Sequence, residues 1–282
     1  MLLKAGNVQK QYKDFKLNCS LEVPKGCVTG VIGANGAGKS TTLKAVLGLI
    51  RMDSGTVEIL GKNLKELTPK DKEELGVVLA ESTFSCMMTV KDVLAVMEAM
   101  YEKFDRDYFL EKCRRYQLPM DKKMKDFSTG MKAKLKLLAA MSHGARLLIL
   151  DEPTVGLDSV TRAELLDEMR GFMEGEDRGI LISSHISSDL EGLCDDLYFM
   201  QNGTILLHED TDVLLSEYAV MKVTKEQYEA LDKRYVLYRK EESFGYELLA
   251  KEKQYYLDNY RDIVVENGSI DALMMLITKA FW

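Results

Sequence analysis

No run of about 18 apolar residues occurs in the 282-residue chain, so no segment of it is expected to cross a membrane. Its opening, MLLKAGNVQKQYKDF, lacks the apolar core of a signal peptide. Cysteine is scattered: Cys19, Cys27, Cys86, Cys113 and Cys194 form no CxxC and share no spacing with the three histidines. That argues against a zinc site and for reduced thiols in a cytosolic protein. An excess of positive charge is missing too. With a net charge of -7 there is no bulk attraction to nucleic acid or anionic lipid, and no nucleic-acid partner is expected. One local shortage is more pointed. Residues 127–150 contain no Asp or Glu, although "FSTGMKAK" within them opens like a helix, and helix starts favour acids.

What is present suffices for a large core: 46% of residues are hydrophobic and 29% charged. Short β-branched runs ("CVTGVIG", "LGVVLA", "LLILDE", "GILISSH") read as buried strands and alternate with helical patterns. In "GKSTTLKAVLGLI", Leu43, Val46, Leu47 and Ile50 fall at i, i+3, i+4 and i+7, which predicts one helix through Ile50. The alternation predicts an α/β fold with a largely parallel sheet. Residues of about 82–143 interrupt it with three helical segments, the last opened by FSTGM, and Pro119 separates the second from the third. Residues 1–216 therefore read as one domain with a helical insertion, and residues 217–282 as a small α+β extension rich in tyrosine and charge. In its last helix Ser269 is the expected cap, and Ile270, Leu273, Ile277 and Ala280 form one apolar face.

Two motifs carry chemistry. "GANGAGKS", residues 33–40, fits G-x-x-x-x-G-K-[ST] between a strand and a helix. Its glycines let backbone N–H groups curl around phosphates, and the helix start adds a positive pole. Lys39 reaches the β and γ phosphates of a nucleotide, and the Ser40 hydroxyl ligates magnesium. "LLILDEP", residues 147–153, ends an apolar strand in two acids. Buried charges there are costly unless matched, which suggests a cation. Asp151 would hold magnesium and Glu152 would orient the attacking water. Taken alone, the stretch reads equally well as a strand entering an acidic turn. "VGLD" follows, and "ISSH" ends the next apolar strand with His185 at the same sheet edge. His143 and His208 read as structural.

With these motifs in this order, residues 1–215 resemble the nucleotide-binding domain of ABC transporter ATPases. The resemblance implies a P-loop NTPase core and ATP contacts by Gly33, Asn35, Gly36, Ala37, Gly38, Lys39, Ser40 and Thr41. It makes Glu152 and His185 the catalytic pair, with His185 as the switch histidine. Ser40 and Asp151 become magnesium ligands, Asp158 the D-loop acid, and Tyr12 the ring stacked on adenine. FSTGM lies where the family carries LSGGQ. Ser128 and Gly130 agree with that pattern; Phe127, Thr129 and Met131 depart from it. The helix start without acids then makes sense, because in the family it faces an ATP γ-phosphate held by a second subunit. Lys132 and Lys134 are expected to add positive potential there. A second departure lies in "GVVLAES": the family's glutamine is replaced by Ala80 and Glu81, and Glu81 reads either as a metal ligand or as a solvated loop acid.

The resemblance further implies a head-to-tail pair of ATP-binding subunits closed by ATP. It also implies an integral membrane permease on a separate chain, docked near residues 81–97 and lined by Phe84, Met87 and Met88. The "GLDSVTRAELLDEM" stretch points to the exporter branch, peripheral at the inner face of the cell membrane. A soluble ABC ATPase acting on ribosomes or DNA is the alternative, but the chain shows one cassette and no heptad run. An unrelated P-loop kinase or GTPase would lack the signature, D-loop and switch histidine together.

Overall fold

The computed structural model describes residues 1–81 and 84–279. The first half runs β1 (Leu3–Gln11), β2 (Lys16–Val23), β3 (Val28–Ile32), α1 (Lys39–Val46), β4 (Ser54–Ile59), β5 (Lys62–Asn63), α2 (Pro69–Lys72), β6 (Leu75–Val78), α3 (Val90–Met100), α4 (Arg106–Arg115) and α5 (Thr129–Met141). It continues with β7 (Leu147–Asp151), α6 (Ser159–Met173), β8 (Gly179–Ser184), α7 (Ser187–Glu191), β9 (Asp196–Gln201), β10 (Thr204–Asp210) and α8 (Thr211–Ser216). Last come β11 (Ala219–Val223), α9 (Lys225–Ala230), β12 (Val236–Glu242), β13 (Gly245–Ala250), α10 (Lys253–Asn259), β14 (Val264–Asn267) and α11 (Ile270–Lys279).

Among the described residues the strands form two sheets. The larger has the order β5-β4-β1-β2-β10-β9-β3-β8-β7-β6. Its β9-β3-β8-β7-β6 side is parallel, and β10 meets β2 in a single parallel pairing at Thr204 and Asn18 while running antiparallel to β9. The β1, β2, β4 and β5 strands pair antiparallel, which corrects the expectation of a largely parallel sheet. The physical reason is visible in β2, where buried and exposed residues largely alternate, as suits a strand with one face on the core. The parallel strands β3, β7 and β8 are buried at every residue. Their apolar runs are continuous because both faces are covered, and their C-terminal ends lead into residues 33–40, Asp151, Glu152 and His185.

Helix α1 closes earlier than the apolar spacing predicts. Its last turn ends in a Schellman arrangement: Gly48 N–H donates to Ala45 O at 3.0 Å and Leu49 N–H to Lys44 O at 2.9 Å. Gly48 sits at φ +69°, a region where a side chain would be strained. Leu47 and Ile50 pack against the core from this turn rather than from the helix.

The helical insertion between β6 and β7 has its own apolar core, built on Val93, Met97, Phe109, Leu135 and Leu138. The boundary expected at residue 82 lies outside the described residues. Met88 and Phe84 pack against this core, so local packing claims two of the three side chains expected to line a docking surface; Met87 is exposed. The insertion is tied to the rest through α6. Glu168 is buried there and accepts from Tyr116 Oη at 2.5 Å, Lys112 Nζ at 2.8 Å and Tyr108 Oη at 3.3 Å. Burial and the Glu168 carboxylate push both tyrosine hydroxyls up from the usual phenol range.

The second sheet has the order β12-β13-β11-β14. Its residues Val220 and Leu249 share one apolar cluster with Ile270 and Leu273 of α11 and with Met169, Phe172 and Leu190. Residues after 216 are thus packed into the same core as α6 and α7. Ser269 caps α11 by accepting the Ala272 N–H at 3.2 Å. Ile270 and Leu273 are fully buried, while the Ile277 side chain and Ala280 lie outside what the structure describes. All five cysteines are free thiols. Among the described residues no helix is long and apolar enough to cross a membrane.

Candidate functional site

The turn of residues 33–38 carries the chain from β3 into α1. Gly38 is the α1 N-cap at φ +114°; it offers no side-chain cap, and no acid stands in the first helical turn. The first N–H groups of α1 therefore keep their positive pole open to an outside anion. A Cβ at Gly38 would fall 3.0 Å from the Phe15 ring, whereas at Gly36 it would meet nothing within 4 Å. The loop is backed by Phe15 on one side and open at its crest, a cradle suited to phosphate. Asn35 is exposed on that crest, Ala37 is buried behind it, and Thr41 is half-buried in α1.

Lys39 is only 5% exposed. Its ammonium donates to Gly33 O at 2.7 Å and Ala34 O at 3.2 Å and pairs with Glu152 Oε1 at 3.0 Å. The other Glu152 oxygen, Oε2, lies 2.8 Å from His185 Nδ1. A carboxylate at the end of β7, a lysine from the loop and a histidine after β8 thus meet at one point. Ser40 Oγ donates to Asp151 Oδ1 at 2.9 Å, and Asp151 is 1% exposed. A hydroxyl and a carboxylate side by side are hard oxygen donors of the kind magnesium prefers. Among the described residues no group of three or more His, Cys, Asp or Glu forms a metal cage. The Ser40–Asp151 pair suits a cation that shares substrate phosphates and water instead.

The remaining predicted residues have the following surroundings. Tyr12 is 42% exposed, with Lys10 Nζ 5.8 Å above its ring. Phe15, joined to it by a Tyr12 N–H to Phe15 O bond of 2.7 Å, is the ring that touches the loop. Sequence reasoning passed over Phe15, although an aromatic three places after Tyr12 was a usable signal. Asp158 caps α6: Oδ1 accepts the Thr161 N–H at 2.9 Å and Oδ2 the Thr161 hydroxyl at 2.8 Å. These bonds hold its carboxyl below the usual range. Glu81 is 83% exposed and pairs with Lys44 on α1 at 2.9 Å, so the Ser40–Asp151 pair is made without it.

Ser128 is the N-cap of α5 and accepts the Met131 N–H at 3.2 Å, and no acid follows in the first turn. A Cβ on Gly130 would lie 3.0 Å from Thr161, so the starts of α5 and α6 are in contact. Lys134 does not point free positive charge outward. It pairs with Glu164 of α6 at 2.5 Å and sits 4.8 Å over the Tyr116 ring, which corrects the expectation drawn from its place in the first turns. Its long side chain finds an acid one helix away that no local reading could supply. His143 and His208 each meet an oxygen acceptor within the fold. His143 is buried, 2.9 Å from the Glu73 carbonyl oxygen, and burial lowers its pKa; His208 Nε2 lies 2.6 Å from Asp196.

The sequence profile described as ABC transporter matches residues 17–155. The chain is 35% identical over 199 residues to the ABC transporter ATP-binding protein YtrB of Bacillus subtilis (strain 168), spanning 71% of this chain and 68% of YtrB. It is 34% identical over 215 residues to the lantibiotic transport ATP-binding protein SrtF of Streptococcus pyogenes, spanning 75% of this chain and 92% of SrtF. This chain belongs to the ABC transporter ATP-binding proteins. A solved ATP-binding subunit of an ABC transporter superposes with a TM-score of 0.67 at 26% identity, covering 75% of this chain and 91% of that one. This ABC transporter subunit is an ATPase of that family, and its residues 33–40, Asp151, Glu152 and His185 lie at the ends of the neighbouring strands β3, β7 and β8.

A groove of about 1010 Å³ opens between α3 and α5 of this ABC subunit and the turn after α1. Leu49, Phe84, Met97, Tyr101, Lys136 and His143 are among its lining residues.

Proposed function

We propose that this chain hydrolyses ATP with magnesium as one of two ATP-binding subunits of an exporter-type ABC transporter. Its membrane-spanning permease is a separate polypeptide, and the chain sits at the cytoplasmic face of the cell membrane. The observation that carries this reading is Glu152 held between Lys39 and His185 beside the Ser40–Asp151 pair. The α5 start supports the second subunit, since it has positive pole to offer and no acid in its first turn. The groove beside Phe84 supports docking of a permease segment on an apolar surface. The lantibiotic transport role in SrtF's name supports the exporter branch.

In this reading the residues of the 33–41 loop wrap the phosphates with backbone N–H groups, and Tyr12 and Phe15 cover the base. Ser40 and Asp151 hold magnesium, whose charge neutralises the phosphate oxygens. Lys39 exchanges Glu152 for the phosphates, which frees the Glu152 carboxylate to orient the attacking water. His185 keeps that carboxylate in place. Ser128 and the N–H groups around Gly130 close on the γ-phosphate of the partner's ATP. Asp158 acts through Thr161, which holds α6 against Gly130. Glu81 stays with Lys44, outside the metal set. Closure of the pair is the mechanical stroke.

The test is Glu152→Gln. Nucleotide binding should persist, an ATP-bound dimer should accumulate by light scattering, and hydrolysis should drop by about 100-fold or more. Undiminished hydrolysis would remove Glu152 from the mechanism. Copurification of a multi-span protein from membranes tests the separate permease.

A further inference from the structure

Strand β8 ends Ile182, Ser183, Ser184, and His185 follows. The histidine drew attention in the sequence; the serine two places before it did not. Ser183 is fully buried, opposite Asp151 in the β7–β8 pairing. Its hydroxyl donates to Asp151 Oδ1 at 2.7 Å, and its oxygen accepts the Glu152 backbone N–H at 3.2 Å. The Ser183 carbonyl accepts the same N–H at 3.1 Å. One residue thus grips both acids.

Each acid has a reason to need that grip. Asp151 is a buried carboxylate, costly unless hydrogen-bonded. Its other hydroxyl donor on the same oxygen is Ser40, the residue that a phosphate-bound cation would draw away. Ser183 lies on a strand rather than in the P-loop and remains with Asp151 when Ser40 turns. Glu152 stands at φ +49°, a left-handed conformation that persists in a non-glycine residue only where its surroundings enforce it. In that conformation its carboxylate meets Lys39 and His185.

We propose that Ser183 is a positioning residue for hydrolysis: its single hydroxyl fixes the Asp151 carboxylate and anchors the Glu152 turn, setting the metal-holding acid and the water-orienting acid relative to each other before nucleotide arrives. The inference rests on the roles given above to Asp151 and Glu152. A serine that only fills a polar gap in the core would influence stability alone, whereas a positioning serine couples to magnesium and to kcat.

The experiment compares the full chain with Ser183→Ala, Ser183→Thr, Ser183→Cys, Asp151→Asn and Glu152→Gln. An N-methylanthraniloyl ATP is titrated by fluorescence in excess EDTA and again with magnesium; ATP turnover is followed against magnesium concentration; thermal unfolding is recorded for each protein. Ser183→Ala should bind the probe in EDTA as the parent does. It should lose most of the affinity gained on adding magnesium, need about tenfold more magnesium for half-maximal turnover, and lower kcat more than it changes KM. Ser183→Thr, which keeps the hydroxyl, should restore both quantities. If Ser183→Ala does not fold, Ser183→Cys, with its weak donor, should carry the same shifts. Parent-like magnesium dependence and kcat in the alanine or cysteine variant overturn the inference, as does an equal loss in the threonine variant that tracks melting temperature alone. Asp151→Asn and Glu152→Gln separate the two levels. Loss in those variants with none at Ser183 confines the failure to this inference, and parent-like turnover in them removes the site reading itself.

Discussion

Helices α3 and α5 belong to the same insertion and begin in opposite ways. At the α3 start, Thr89 accepts the Asp92 N–H at 3.2 Å and the Asp92 carboxylate accepts the Thr89 N–H at 2.7 Å. This capping box satisfies the helix end from its own chain. The same device closes α2 with Thr68 and Asp71, and α9 with Thr224 and Gln227. At the α5 start Ser128 caps alone and no acid follows. The α1 start after the phosphate loop is barer still, with Gly38 and no side-chain cap. The ends of α2, α3 and α9 are closed locally, whereas α10 has neither a side-chain cap nor an acid in its first turn, so a bare end by itself marks no site. The two ends that carry the nucleotide motifs are left with positive pole to spend on a ligand.

That contrast can be broken in several places. The largest effect should come from the loop end. Lys39→Ala removes the cation held by Gly33 O, Ala34 O and Glu152 and should weaken ATP binding about 100-fold, measured by titration calorimetry. An unchanged dissociation constant would refute the phosphate-loop role. Next, Thr129→Asp would close the α5 end with an exposed acid in its first turn. Thermal stability should hold or rise by about 0.5 kcal/mol while turnover falls about tenfold, because the new charge repels the partner's γ-phosphate. Turnover at the parent rate would mean that the α5 start never meets an anion. The mirror experiment is Asp92→Ala at α3. Chemical denaturation should show a loss of about 1 kcal/mol, with turnover per folded molecule unchanged. A turnover defect there would blur the distinction between closed and open ends.

The smallest effect lies past the far end of α5. His143 is buried, stacked on Tyr101 with ring centroids 4.1 Å apart, and its folded pKa is depressed by burial. A base with a depressed folded pKa binds more protons when unfolded, so its contribution is present above the unfolded value and lost as pH falls. Stability should therefore decline as pH drops below about 6.5, by at most about 1.4 kcal/mol per pH unit from this group. His143→Gln should flatten that slope in urea titrations, and an unaltered slope would assign the acid sensitivity elsewhere.

Much of the site is legible in one dimension. The loop of residues 33–40 and the acids Asp151 and Glu152 announce themselves because their chemistry is local: a phosphate cradle needs glycine and lysine at fixed spacing, and a strand end needs a reason to bury two carboxylates. His185 was readable from its place after an apolar run. Ser183 was not, since a serine in a buried strand has no distinctive spacing and its meaning lies in the Asp151 oxygen across the sheet. Lys134 and Glu81, the latter open between metal ligand and loop acid, show where local reading stops. Each looked available to the nucleotide or its metal, and each is engaged by a partner distant in sequence, Glu164 and Lys44 respectively. The antiparallel side of the sheet was missed because alternating strands such as β2 carry a weaker signal than continuous apolar runs.

The sequence by itself determined the nucleotide chemistry, the order of the motifs and the absence of acids at the α5 start, because glycine freedom, charge and hydrophobic period act over a few residues. Tertiary structure alone decided which charges stay available and which are consumed. It joined Lys39, Glu152 and His185, tied Glu168 to α4, and packed residues after 216 into the core of α6 and α7. Those outcomes depend on strand order and side-chain reach across the sheet, and buried charges accept whichever partner the fold brings within hydrogen-bond distance.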